Sequence, residues 1–90
     1  MDETDYLLQD ADRAVARTHE ALADKVSHLA ERMTTLAARL EREGTEARVN
    51  ELGVVQGLGA DVDRLCALLY AARQTRDLAR RVAEATQERR

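Results

Sequence analysis

Two histidines and one cysteine are the residues in this chain best suited to catalysis or metal binding. His19 and His28 lie nine residues apart. At about 100° per residue they point to opposite sides of one helix, so they cannot bind one metal together. No Glu-x-x-His pair is present, and Cys66 has no supporting base in a recognisable motif, which favours a small core thiol. We therefore expect no metal, no cofactor and no enzymatic activity.

Three glycines and four arginines are the remaining candidates. Gly53, Gly57 and Gly59 do not match the dinucleotide-binding pattern, and no strand precedes them. The spacing Gly53-x-x-x-Gly57 indicates instead a close helix contact or a bend. The arginines form a possible basic stripe near the carboxyl end, at Arg73, Arg76, Arg80 and Arg81. Acidic residues interrupt this stripe and the net charge is -3, so nucleic-acid binding is only an alternative function.

The composition is typical of long helices. The chain has 90 residues without proline, phenylalanine or tryptophan, and 44% of them are hydrophobic. A single cysteine forms no internal disulfide, and the acidic amino terminus is not a secretory signal. The uncharged runs are far shorter than the ~20 residues of a membrane span. We expect an all-α, cytoplasmic protein, and the excess of arginine over lysine suggests a bacterial, high-GC genome.

Two apolar seams organise the chain. Their residues recur in steps of three and four, as in a coiled coil. The first seam comprises Leu22, Val26, Leu29, Met33, Leu36 and Leu40, and the second comprises Val55, Leu58, Val62, Leu65 and Leu69, continuing to Ala72. In an antiparallel hairpin whose paired residue numbers sum to about 95, Leu40 meets Val55 and Leu22 meets Ala72. The sequence therefore predicts an antiparallel helical hairpin with these residues as its core.

The expected boundaries follow from the capping residues. We predict a single domain over 1–90, with a helix over about 3–43, a turn over about 44–48 at Gly44, and a second helix over about 49–88. If the glycines break the second helix at 53–60, a three-helix bundle is the alternative fold.

Further apolar positions predict a partner. The stretch from Leu65 to Ala72 is apolar around the whole helix, and one neighbouring helix covers only one side of it. The predicted second face comprises Ala16, Ala23, Ala30, Ala37, Leu68 and Ala71. Docking of two hairpins through this face would give a four-helix bundle, most simply a homodimer, although a different helical protein would serve equally. The same register places His19 opposite Arg76 as a possible polar layer that fixes the register.

The functional expectation is a helical protein–protein interaction module, such as an adaptor or a small regulatory or assembly protein. In size and two-helix plan the chain also resembles the small hairpin proteins exported by type VII systems. Their Trp-x-Gly turn is missing, and their carboxy-terminal Tyr-x-x-x-Asp/Glu signal is matched only near the amino end, by Tyr6 and Asp10. The resemblance implies a small exported hairpin protein as a further alternative.

Overall fold

The fold consists of two long helices that pack against each other. A computed structural model describes residues 3–46 and 50–89. Helix α1 spans Glu3–Glu43, a single 3₁₀ turn spans Gly44–Glu46, and helix α2 spans Asn50–Glu88. The predicted all-α hairpin is confirmed. The three-helix alternative is wrong, because α2 continues without a break through positions 53–60.

The ends of α1 are set by charge and by one glycine. Glu3 and Asp5 lie in the first turn and Arg42 in the last, where each charge complements the helix dipole. Gly44 has a φ of 60°, the left-handed conformation that other residues adopt only with strain. Gly44 therefore ends α1, and the chain turns back toward α2.

The glycines of α2 do not mark a close contact or a break. A Cβ atom built on Gly53, Gly57 or Gly59 meets nothing within 4 Å. The prediction that Gly53-x-x-x-Gly57 marks a close helix contact is therefore wrong for the single hairpin. These positions leave open space beside a continuous helix.

On α2 the buried positions follow the predicted seam. Leu58 and Leu69 are buried, and Val55, Val62, Leu65 and Ala72 are half-buried. The same spacing continues toward the carboxyl end, where the half-buried residues are Arg76, Ala79, Ala83 and Thr86. Because the pattern keeps its seven-residue repeat along the helix, α2 presents one continuous edge to α1.

On α1 the buried edge is displaced from the predicted seam. One predicted column lies in the interface, with Leu36 buried and Leu22 and Leu29 half-buried. The neighbouring interface column comprises Thr4, Ala11, Thr18, Lys25 and Arg39. The other predicted column is exposed, at 46% for Val26, 53% for Met33 and 45% for Leu40. The predicted pairings of these three residues with α2 are therefore wrong.

Two ion pairs join the helices. Lys25 Nζ lies 3.6 Å from Asp61 Oδ2, and Arg80 Nη2 lies 3.9 Å from Asp12 Oδ1. The Lys25–Asp61 pair gives the register, because its residue numbers share the sum 86 with the facing residues of the apolar hollow, whereas the half-exposed Arg80 side chain reaches Asp12 from farther along α2. The predicted register places Lys25 opposite Tyr70 and Asp12 opposite Val82 or Ala83. The helices are thus shifted relative to the prediction as well as rotated.

Polar residues are accommodated in this interface by local bonds. The Thr18 hydroxyl donates to the Ala14 carbonyl at 2.7 Å, and the Thr86 hydroxyl donates to the Val82 carbonyl at 2.9 Å. Because each hydroxyl is satisfied within its own helix, half-burial leaves no unmade hydrogen bond. The Lys25 side chain is partly exposed, and its ammonium group reaches the Asp61 carboxylate.

We predict opposite effects for two glycine replacements. Gly57→Ala should stabilise the hairpin by about 0.5–1 kcal/mol, because the new methyl group enters open space in a helix interior. Gly44→Ala should destabilise it by about 1–2 kcal/mol, because φ is positive there. Urea unfolding followed by circular dichroism measures both changes. Destabilisation by Gly57→Ala would mean that position 57 is enclosed.

Candidate interaction surface

One side of the hairpin is identified by the Asp12–Arg80 pair. Residues at seven-residue intervals from Asp12 on α1 and from Arg80 on α2 lie along the same side, because the buried columns keep a seven-residue repeat over the length of both helices. We call this side the Val26 face. It comprises Asp12, His19, Val26, Met33 and Leu40 of α1, with Leu52, Gly59, Cys66, Arg73 and Arg80 of α2.

The Val26 face is divided into an apolar half and a charged half. Near the turn it exposes Val26, Met33 and Leu40 together with Leu52. Toward the free ends of the helices it carries Asp12 and His19 on α1, with Arg73 and Arg80 on α2. The apolar half is typical of a surface that binds protein, and the charged half adds an orientation to it.

The opposite side of the hairpin is more polar at its centre. We call it the Lys25 face, because Lys25 forms an ion pair there with Asp61. Arg64 donates a hydrogen bond to the same Asp61 carboxylate. Leu68, one heptad beyond Asp61, is 52% exposed. Nearer the free ends is an open apolar hollow, lined by Thr4, Leu7, Thr75, Leu78, Ala79 and Val82. None of these lining residues has a charged side chain.

The structure separates the residues of the predicted second face. Ala16, Ala23, Ala30 and Ala37 are exposed and lie beside the α1 column of the Val26 face. Leu68 belongs to the Lys25 face. Ala71 is one heptad from Arg64 and lies on that side too. These six residues do not form one surface on the single hairpin, because the edge of α1 that packs on α2 differs from the predicted one.

The predicted His19–Arg76 layer is replaced by a different polar position. His19 is exposed on the Val26 face, whereas Arg76 lies in the interface between the helices. The Arg76 Nε atom is buried and makes no hydrogen bond, and it lies 3.8 Å from Oδ1 of the adjacent Asp77. Arg76 is thus an imperfectly satisfied polar group in the interface. Its position follows from the sequence, because it falls in the column that repeats every seven residues from Val55 to Ala83.

The four arginines do not form one exposed stripe. Arg73 and Arg80 lie on the Val26 face, Arg76 is half-buried, and Arg81 is exposed farther round the helix. Arg76 and Arg80 are each close to a carboxylate. Their positive field is therefore partly compensated within the hairpin.

The described residues provide few groups for chemistry. No three histidine, cysteine or acidic residues among them converge as a metal site. Cys66 is exposed, which corrects the expectation of a core thiol. The hydroxyls of Thr34, Thr35 and Thr75 donate to the carbonyls one turn earlier in their helices. Neither described helix is apolar over a length that would cross a membrane.

Comparison with known proteins adds no relative to this description. The chain matches none of the protein families, curated proteins or solved structures with which it was compared. The physical features of the Val26 face therefore carry the functional argument.

Two truncations should distinguish the interface from the exposed column. Leu69→Ala should destabilise the hairpin by about 2–3 kcal/mol, because Leu69 is among its most buried side chains. Met33→Ala should change stability by less than about 0.5 kcal/mol under conditions where the chain is monomeric. Urea unfolding at low micromolar concentration measures both. Equal losses would place Met33 between α1 and α2 instead.

Replacement of the interface arginine should be stabilising. Arg76→Leu removes the buried Nε atom that lacks a partner and adds apolar contact at a position between the helices. We expect a gain of about 1 kcal/mol in the free energy of unfolding at low protein concentration. Arg81→Leu, at an exposed position, is the control and should change stability little. A loss of stability in Arg76→Leu would show that the arginine makes a favourable interaction there.

Proposed function

We propose that this chain is a non-enzymatic helical interaction module that acts as a homodimer, with two hairpins assembled into a four-helix bundle. The observation that carries the proposal is the exposed column of Val26, Met33 and Leu40. These residues continue the apolar surface of α1 directly beside the buried Leu22, Leu29 and Leu36 column. A single partner helix covers one edge of this surface and leaves the rest in water.

The surface area of the single hairpin supports assembly. The hairpin measures 69 × 15 × 14 Å, and its radius of gyration is 20.2 Å, against about 12 Å for a compact chain of this length. It exposes 7015 Å², whereas a compact chain of 10.1 kDa exposes about 5,300 Å². A stable interface takes about 800 Å² from each partner, so the excess is sufficient for one.

The angular width of the apolar surface also favours a bundle. Each helix of a four-helix bundle has two close neighbours, about 90° apart around its axis. Helix α2 packs against the edge of α1 that includes Lys25 and the Leu22 column. At about 100° per residue, the Val26 column lies roughly a quarter-turn around the α1 axis from that contact. The exposed column therefore points where a second neighbour would lie.

As such a module, the protein would act in the cytoplasm as an adaptor or as a small regulatory or assembly protein, presenting the outer surfaces of the bundle to other proteins. The nucleic-acid alternative is less favoured, because Arg76 is half-buried and Arg80 lies beside Asp12. No observation on the described residues favours the exported-hairpin alternative, whose Tyr6 and Asp10 lie in α1 near its amino end.

Light scattering after gel filtration tests the proposal. Across a concentration series from low to high micromolar, we expect the mass to approach twice 10.1 kDa, with helical circular dichroism retained. Thermal stability should rise with concentration, since assembly adds buried apolar surface. A monomeric mass at every concentration, with unchanged stability, would refute the proposed dimer.

A further inference from the structure

The two sides of the hairpin differ in what a bundle would bury. A partner on the Lys25 face would turn the α1 column of Lys25, Arg32 and Arg39 toward the bundle centre. Such a partner would have to remove water from the Lys25–Asp61 and Arg39–Glu43 pairs as well as from Arg32, and the desolvation cost of a buried ion pair can exceed its attraction. A partner on the Val26 face would instead enclose the two apolar columns of α1, comprising Leu22, Leu29 and Leu36 with Val26, Met33 and Leu40.

We infer that a second copy of this chain docks on the Val26 face, with the two turns at the same end and a two-fold axis along the length of the bundle. The inference rests on the proposed dimer and specifies its surface and orientation. In this arrangement α1 of each copy lies against α2 of the other. The two turn-proximal apolar halves then meet, and so do the two charged halves.

The apolar halves are complementary in this orientation. The Lys25–Asp61 pair gives the register of the two helices: residues whose numbers sum to about 86 lie at the same height, as do the residues that line the apolar hollow. The two-fold axis preserves those heights between copies. Met33 therefore comes about level with the partner's Leu52, and Val26 comes about level with the partner's Gly59, beside which the space is open. An apolar side chain thus meets a position with no side chain.

The charged halves are complementary as well. The same register places Asp12 of each copy about level with the partner's Arg73, within one helical turn of the partner's Arg76. Opposite charges meet at Asp12 and Arg73, which favours this orientation over arrangements that oppose like charges.

The reversed orientation lacks both matches. With the turns at opposite ends and full overlap, α1 lies on α1, and the apolar half of each copy covers the charged half of the other. Sliding the hairpins until only the apolar halves overlap would leave half of each face uncovered. The observed division of the Val26 face therefore selects the orientation with both turns at one end.

Matched charge substitutions test the surface. Met33 and Leu68 are 53% and 52% exposed in the single hairpin, on opposite sides. Met33→Asp should raise the dimer dissociation constant by about 100-fold or more, because an unpaired carboxylate would be buried. Leu68→Asp should change it by less than about threefold. Sedimentation equilibrium measures the constants, and circular dichroism checks that both variants remain helical.

A size exchange tests the contact without adding charge. Gly59→Leu should weaken the dimer by about tenfold or more, because the new side chain occupies the position that the partner's Val26 fills. The double variant Val26→Ala/Gly59→Leu should recover most of that loss. These variants also test the contact if Met33→Asp does not fold, since Val26 is exposed and a side chain at position 59 meets open space in the single hairpin.

Distances between spin labels test the orientation. The background carries Cys66→Ala, and the label is placed at Tyr6→Cys, an exposed position near the free end of α1. With both turns at one end, the two labels should lie less than about 35 Å apart across the bundle. With turns at opposite ends they would be about 50 Å apart or farther, from the rise of 1.5 Å per residue.

The outcomes separate the inference from the proposed function. Loss of the dimer in Met33→Asp but not in Leu68→Asp, with a short label distance, supports the inference. A dimer that dissociates only with Leu68→Asp, or that gives the long distance, overturns the surface or orientation while the dimer itself stands. A wild-type chain that stays monomeric overturns both.

Discussion

The structure depends on one constraint, the width of the apolar surface on α1. Three neighbouring columns along this helix are apolar between residues 22 and 40, namely the Leu22, Val26 and Ala23 columns. One antiparallel helix covers about two neighbouring columns of its partner, so α2 cannot cover all three. Whichever edge of α1 packs on α2, another apolar column remains exposed. The hairpin resolves this by burying an edge column and leaving the middle one in water.

The choice of that edge explains the polar residues in the interface. Thr18 and Lys25 flank the buried leucines, and both are accommodated locally, by a hydroxyl bond to Ala14 and by the Asp61 carboxylate. Had the Val26 column been central, the Leu22 and Ala23 columns would have remained on either side as two narrow apolar strips. Burial of the edge instead leaves one continuous apolar area, which a single further neighbour can cover.

The same width determines what the sequence could predict. On α2, aspartate, glycine and arginine interrupt the columns beside the seam, so the periodicity identifies one edge for the contact with α1, and Leu58 and Leu69 are buried where it places them. On α1, periodicity identifies the apolar arc but not which part faces α2, so the prediction that Met33 contacts α2 is wrong. The predicted register has the same weakness, because a seam of similar leucines and valines fits several shifts. A long-range ion pair such as Lys25–Asp61 distinguishes those shifts, and it depends on a helix rotation that periodicity leaves open.

In the proposed dimer, the apolar half of the Val26 face would supply most of the affinity, and the charged half would select the orientation. Apolar contact among Val26, Met33 and Leu40 is non-directional and would accept a partner in more than one register. The charges at Asp12 and Arg80 contribute little as exposed pairs, at about 0–1 kcal/mol each. Their contribution to discrimination is larger, because a misaligned partner would place a carboxylate on apolar surface or an arginine beside another arginine. A hairpin with a uniformly apolar face would associate more tightly but in several arrangements, so in the proposed dimer the charged half would restrict assembly to one orientation.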